Sequence, residues 1–268
     1  MDEYRRANQA LWNEYVGIHA RSEMYALDQF KAGRNSLHRL ELDELGEVNG
    51  RSLLHLQCHF GLDTLSWARL GAQVTGVDFS EQAIALAQSL SRQLDIPARF
   101  LCCDLYDLPD HLTGQFDIVY TSYGVLTWLS DLPGWAQVVA HFLKPGGTFY
   151  IAEFHPFGMI FEEKSPELRV RYPYFDTGVM AFPTEGSYAD HAAKVQTPIS
   201  YEWAYPMGKV VTSLVAAGLH IQYLHEFPFC VYDMYPFLER GEDGYFYLPG
   251  KVDKIPLMFS IRAEKTGS

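Results

Sequence analysis

Apolar and polar residues follow two rhythms along this chain, one of short apolar runs and one of helical period. Apolar runs recur at residues 52–56, 73–77, 98–102, 116–120 and 148–153. Between them, residues 64–70, 81–94 and 132–142 carry their apolar positions at helical spacing. Gly71 closes the first of these stretches, Pro97 follows the second, and the turn Lys144-Pro145-Gly146-Gly147 follows the third; glycine and proline are the usual helix stops. Ser80 stands where its hydroxyl can cap the second helix. Strands alternating with helices predict an α/β fold with a doubly wound, parallel sheet.

The flanks read differently. Residues 4–15 form an amphipathic pattern with Leu11, Trp12 and Tyr15 on the apolar side, a loop is expected over 17–25, and Ser36 can cap a helix running to Leu45. Residues 1–45 are thus an N-terminal helical segment, ahead of a core at 50–155. After that core the alternation breaks. Residues 156–207 are rich in Pro, Gly and Tyr, with alternating runs such as 168–175, and predict an inserted β-rich lobe. A C-terminal part, 208–268, then offers a helix over 207–217 stopped by Gly218, a strand over 219–227, a long aromatic loop over 228–256 and a closing strand over 257–262.

Candidate chemistry gathers at the carboxyl ends of the core strands, where a doubly wound sheet holds its ligand. The first strand runs into Gln57-Cys58-His59-Phe60-Gly61, and the second ends in Asp78, 17 residues beyond Gly61. A carboxylate roughly 20 residues past such a glycine turn accepts from ribose hydroxyls, and its two oxygens match the two donors of a ribose diol. Asp78 has a plainer alternative role as a helix cap. Only Gly61 stands where a dinucleotide fingerprint has three glycines. Gln57 and His59 would crowd a pyrophosphate, which favours an adenosyl ligand without phosphates over a nicotinamide or flavin dinucleotide. At the end of the fifth strand, His155 is placed as a general base, with Glu153 and Tyr123 as alternatives; each could equally be structural.

In these segments the chain resembles the class I S-adenosylmethionine-dependent methyltransferases. Their first motif, V-L-D-L-G-C-G-T-G, aligns with L-L-H-L-Q-C-H-F-G at 53–61. V-T-G-V-D-F-S, Asp104-Leu105, F-D-I-V-Y-T-S-Y-G at 116–124 and L-K-P-G-G-T-F-Y at 143–150 match the later motifs in order. His55, Gln57, His59 and Phe60 depart from the pattern, in a variant loop that a subgroup of uncharacterised methyltransferase-like proteins shares. The resemblance implies a Rossmann-like, seven-stranded sheet, mostly parallel with an antiparallel last strand. It implies S-adenosylmethionine as cofactor, S-adenosylhomocysteine as product, and methyl transfer to a small-molecule acceptor. Gln57, Cys58, His59 and Gly61 would take the methionine end, Asp78 the ribose, Phe79, Asp104 and Leu105 the adenine, and Ser122 and Tyr123 the ammonium side. His19 and Tyr25 would belong to a helical lid over the cofactor. A nicotinamide-dependent oxidoreductase and a non-catalytic adenosyl-ligand binder are the rival readings.

Composition narrows the partners. The chain has 268 residues and a formal net charge of -12, a poor match for nucleic acid. No apolar run approaches the ~18 to 20 residues that span a bilayer, and the N-terminus lacks an apolar signal core, so a cytoplasmic protein is expected. Four cysteines are too few for a disulfide scaffold, and no metal-ligand spacing is visible. Aromatic residues make up 15%. Those beyond Pro156, among them Tyr172, Tyr174, Tyr188, Tyr201, Trp203, Tyr232 and Tyr235, suggest an aromatic-lined substrate region.

Overall fold

The computed structural model describes residues 1–175, 178–251 and 254–267. Five parallel strands form its core: β1 (Ser52–Leu56), β2 (Gln73–Asp78), β3 (Arg99–Cys102), β4 (Phe116–Ser122) and β5 (Leu143–Phe154). Two later strands, β8 (Leu219–Phe227) and β12 (Met258–Lys265), complete a seven-stranded sheet in the order β3-β2-β1-β4-β5-β12-β8. β12 runs antiparallel to both its neighbours. The expected mixed sheet with an antiparallel last strand is therefore what forms.

Pleating divides the apolar residues between two layers, because successive side chains on a strand point to opposite faces. On one face Leu54, Leu56, Val119, Phe149 and Ile151 pack with α7 (Leu132–Phe142) and α8 (Met207–Ala216). On the other, Leu53, Val74, Ile118, Tyr120 and Tyr150 pack with Leu40 and Leu45 of α3 (Arg39–Leu45) and Trp67 of α4 (Leu62–Arg69). α5 (Glu81–Gln93) covers the β2–β3 side through Ala83, Ile84, Ala87 and Leu90. Its N-cap is Ser80, whose hydroxyl accepts from the Ala83 amide at 3.1 Å. The short α6 (Leu108–His111) links β3 to β4.

The flanks depart from expectation in instructive ways. The N-terminal helix α1 spans Glu3–His19, because the buried stripe continues through Val16 and His19, and the short α2 (Leu27–Lys31) follows. α3 begins at Arg39 with His38 as N-cap. Glu41 accepts from the His38 amide at 2.9 Å in a capping box. Ser36 does not cap it; its hydroxyl donates to Asp63 at 2.6 Å. Residues 168–175 form no strand beyond an isolated bridge from Val170 to Phe161, in keeping with Pro173, which lacks a ladder donor. The regular part of the lobe is a hairpin of β6 (Val179–Pro183) and β7 (Ile199–Trp203). The aromatic loop contains a small sheet of β9 (Phe229–Cys230), β10 (Glu239–Arg240) and β11 (Phe246–Tyr247). Residues 176–177 of the expected lobe and 252–253 of the expected loop lie outside the described residues. Among the described residues, no helix is long and apolar enough to cross a membrane.

Candidate active site

β1 and β4 are neighbours from which the chain departs in opposite directions, so the crevice of the sheet opens at their carboxyl ends. The loop leaving β1 holds three left-handed residues: Gln57 (φ 56°), His59 (φ 49°) and Gly61 (φ 78°). Such angles suit glycine and cost other residues about 1–2 kcal/mol. Loop hydrogen bonds hold the conformation. The Cys58 amide donates to Val77 at 2.9 Å, the Gly61 amide to Cys58 at 2.9 Å, and the His59 amide to Asp78 at 2.8 Å. At Gly61 a side chain is excluded as well as strained, since a Cβ there would lie 2.7 Å from the Phe100 ring. Gln57 and His59 thus occupy glycine positions without changing the glycine-type course of the backbone.

Asp78 is buried at the end of β2. One of its oxygens accepts the His59 amide and the other the Ser80 amide, both at 2.8 Å. Burial raises its pKa to about 6 against the pull of those amides. Gln57 donates from Nε2 to the Val125 carbonyl at 3.1 Å, while Gln57 Oε1 and His59 Nδ1 are buried without a protein partner. Cys58 is buried beneath the loop. Asp104 follows β3 and accepts the Tyr106 amide at 3.0 Å, with Leu105 buried beside it.

α1 lies across these strand ends. Arg5, Gln9 and Asn13, spaced by four, share one helix face. Arg5 Nη1 donates to both Asp104 oxygens at 3.0 Å, and its guanidinium lies 5.0 Å from the Tyr106 ring centre. Gln9 donates to the Phe79 carbonyl at 2.6 Å, and Asn13 accepts from the Ser80 hydroxyl at 2.6 Å. Trp12 sets its edge against His59 (5.2 Å) and Trp128 (5.3 Å). At the end of the helix, His19 Nδ1 is 2.9 Å from His59 Nε2, and its other nitrogen is 3.1 Å from the Ser187 hydroxyl. Burial lowers the His19 pKa to about 3, so the ring is neutral. Tyr25 stacks on His19 at 5.0 Å and meets the Tyr188 hydroxyl. The sequence reading reached His19 and Tyr25 but not Arg5, Gln9 or Asn13, although a polar stripe at i, i+4 and i+8 marks such a face.

The ends of β4 and β5 sort the other candidates. Ser122 is buried and hydrogen-bonded to Asp63. Tyr123 has a left-handed backbone (φ 40°), and its hydroxyl donates to Glu41. Glu153 does not face the crevice as a free base. Its carboxylate accepts the amides of Gly124, Val125 (2.7 Å), Leu126 (3.0 Å) and Phe154 (2.7 Å), which fixes the turn after β4. His155 is turned away too. Its Nε2 lies 2.8 Å from Glu226 on β8, and its Nδ1 accepts the Phe157 amide at 3.0 Å. Both side chains spend their polar atoms on structure, whereas Tyr123 joins a buried carboxylate.

Comparison with known proteins bears on the family and the fold. Residues 53–147 match the family model described as a methyltransferase domain. A ubiquinone biosynthesis O-methyltransferase of Chromobacterium violaceum is 29% identical over 111 residues, 41% of this chain and 47% of that protein. The chain thus spans about half the length of that curated relative. The fold is similar to an S-adenosylmethionine-dependent methyltransferase of Mesorhizobium loti, with a TM-score of 0.56, 20% identity and coverage of 87% and 99% of the two chains. It is likewise similar to one of Clostridium acetobutylicum, with a TM-score of 0.58, 15% identity and coverage of 96% and 100%. Residues 53–147 thus match a methyltransferase-domain model, and the fold built around them is the one seen in solved S-adenosylmethionine-dependent methyltransferases.

Proposed function

We propose that this protein transfers a methyl group from S-adenosylmethionine to a small-molecule acceptor. The observation that carries this is the β1 loop. It keeps left-handed backbone at Gln57, His59 and Gly61 and sets the buried Asp78 carboxylate beside it, at the switch point of a seven-stranded methyltransferase sheet. The residues present fit the cofactor. Asp78 offers carboxylate oxygens for the ribose hydroxyls, Asp104 and Leu105 flank the adenine side, and Gln57 Oε1 and His59 Nδ1 are buried polar atoms free to take a partner.

When bound, S-adenosylmethionine supplies an electrophilic methyl on a sulfonium whose leaving group is a neutral thioether. The chain's task is to hold the acceptor in line with that methyl, an orientation effect worth up to about 7–11 kcal/mol. On this reading α1 is a lid. Arg5, Gln9, Asn13 and His19 reach the loops after β1, β2 and β3, so the helix must shift for the cofactor to enter and can then close over it, through the contacts the cofactor leaves free, to exclude water. The reading also places the protein in the cytoplasm, in keeping with four free cysteines.

Thermal melts with S-adenosylmethionine, S-adenosylhomocysteine and NAD, each added separately, test the proposal. A ligand at about 100 times its Kd adds about 2.7 kcal/mol of stability. Stabilisation by the two adenosyl sulfur compounds alone is the expected result. Stabilisation by NAD alone overturns it.

A further inference from the structure

A buried polar pair outside the cofactor loops lies beneath α3. Glu41 is fully buried there, and among the described residues no Lys or Arg forms an ion pair with it. One carboxylate oxygen accepts the His38 amide and the other the Tyr123 hydroxyl. The groups around it are acids, phenols and a ring: Asp63 from α4, Tyr120 from β4, Tyr150 from β5, and His38, which burial keeps neutral with a pKa lowered to about 4. Nothing in the fold requires a carboxylate here. A capping box accepts glutamine as readily as glutamate, and an unpaired buried charge is costly.

Tyr123 connects this carboxylate to a row of rings, the half-buried Phe154 and Tyr232 and the exposed Tyr188. Its ring lies 5.3 Å from His38 and 6.4 Å from Phe154, Phe154 lies 5.2 Å from Tyr232, and Tyr232 lies 6.5 Å from Tyr188. Tyr188 in turn reaches His19 and Tyr25 over the β1 loop. The row therefore begins beside the cofactor loop and ends at the Tyr123 hydroxyl. Tyr123 is also one of the few non-glycine residues with left-handed backbone. Strain of that kind collects at functional sites and persists only where surrounding contacts hold it.

From this juxtaposition we infer that Tyr123 and Glu41 form a proton relay for an aromatic hydroxyl acceptor lying along the Tyr188–Tyr232–Phe154 wall. The inference rests on the methyl-transfer reading above. The acceptor hydroxyl gives its proton to the Tyr123 oxygen as Tyr123 passes its own proton to Glu41. The acceptor oxygen forms a bond to the methyl carbon, the carbon–sulfur bond breaks, and its electron pair stays on sulfur. The products are a neutral methyl ether, a neutral thioether and a protonated Glu41, which later releases the proton to solvent. Tyr123 is the catalytic residue and Glu41 acts through it.

The test uses the full chain with S-adenosylmethionine and two aromatic hydroxyl probes, catechol and 4-hydroxyacetophenone, with product read by mass. Glu41→Gln keeps the capping box and Tyr123→Phe keeps the ring. Both are expected to lower kcat about 100-fold, the scale of one lost proton transfer, with KM and S-adenosylhomocysteine binding unchanged. In the wild type kcat should rise with pH through about 8, where Glu41 ionises, and that limb should vanish in Glu41→Gln. Equal turnover in the variants overturns the relay. So does a wild type that binds S-adenosylhomocysteine yet methylates neither probe. Failure to bind S-adenosylhomocysteine would instead strike the methyl-transfer reading itself.

Discussion

Arg5 and Asp104, 99 residues apart in the chain, meet at 3.0 Å across the edge of the cofactor crevice. The guanidinium holds both carboxylate oxygens that the methyltransferase reading gives to adenine. Closing the helix and binding the adenine therefore compete for one group. Arg5→Ala should lower the stability of the free protein by about 1.5–3 kcal/mol, the range for a hydrogen bond to a charged group. It should also tighten S-adenosylhomocysteine binding by about tenfold, equivalent to about 1.4 kcal/mol. Calorimetric titration of variant and wild type checks both directions; weaker binding in the variant would mean that Arg5 assists the ligand.

Asp78 has the opposite expected behaviour. Its oxygens hold the β1 loop through the His59 and Ser80 amides, so removing it harms loop and ligand together. Asp78→Ala should weaken S-adenosylhomocysteine binding by about 1–3 kcal/mol, the cost of unpairing buried polar groups. Asp78→Asn keeps one acceptor oxygen and should fall between the two. Unchanged affinity in a folded Asp78→Asn protein would show that the ribose is held elsewhere.

At Gly61 the constraint is steric as well as conformational. A methyl group there would meet Phe100 at 2.7 Å and Ala87 at 3.1 Å, on a backbone with φ of 78°. Gly61→Ala should cost about 1–3 kcal/mol, as overpacking of a tight core does. The measurement is a denaturant midpoint, and a shift under a few tenths of a kcal/mol would show that Phe100 yields freely.

Stability should fall as pH rises above neutrality. Burial raises Asp78 to about 6, Glu202 to about 7 and Glu41 to about 8, whereas carboxyls in an unfolded chain ionise near pH 4. From about pH 4 up to these values the native state binds protons that the unfolded state has lost, so these groups make stability drop with pH. Burial lowers His19 and His55 to about 3 and His38 to about 4. The unfolded chain protonates its histidines near pH 6.5, so below that value these rings act in the opposite sense. The sum is a stability maximum at or below about pH 6.5 and a decline toward pH 8, at most about 1.4 kcal/mol per pH unit for each group. Glu41→Gln should flatten the upper part of that decline in a pH series of thermal melts.

The core was legible because each strand is a short apolar run closed by a turn residue, and Asp78 was legible because its distance from Gly61 is set by one helix and one strand. The cofactor loop was only half legible. Letters show Gln57 and His59 in place of glycine, but not that the backbone keeps a left-handed course beneath them. Glu153 and His155 invited a chemical reading because they end a strand. Position along a strand does not reveal that four amides converge on one and Glu226 meets the other. Glu41 was hidden differently, since its partner Tyr123 lies 82 residues away and its capping position has an ordinary local explanation.

One amide side chain ties the N-terminal helix to the inserted lobe. Asn8 of α1 donates to the Tyr201 carbonyl at 2.6 Å and accepts the Tyr201 amide at 2.9 Å, the pairing a neighbouring strand would make with β7. Glu14 adds contacts to Gln196 and Thr197 of the same lobe. Helix and hairpin are thus fastened to each other, so on the lid reading a shift of α1 that admits the cofactor would carry the hairpin with it and uncover the wall beside which the acceptor would lie.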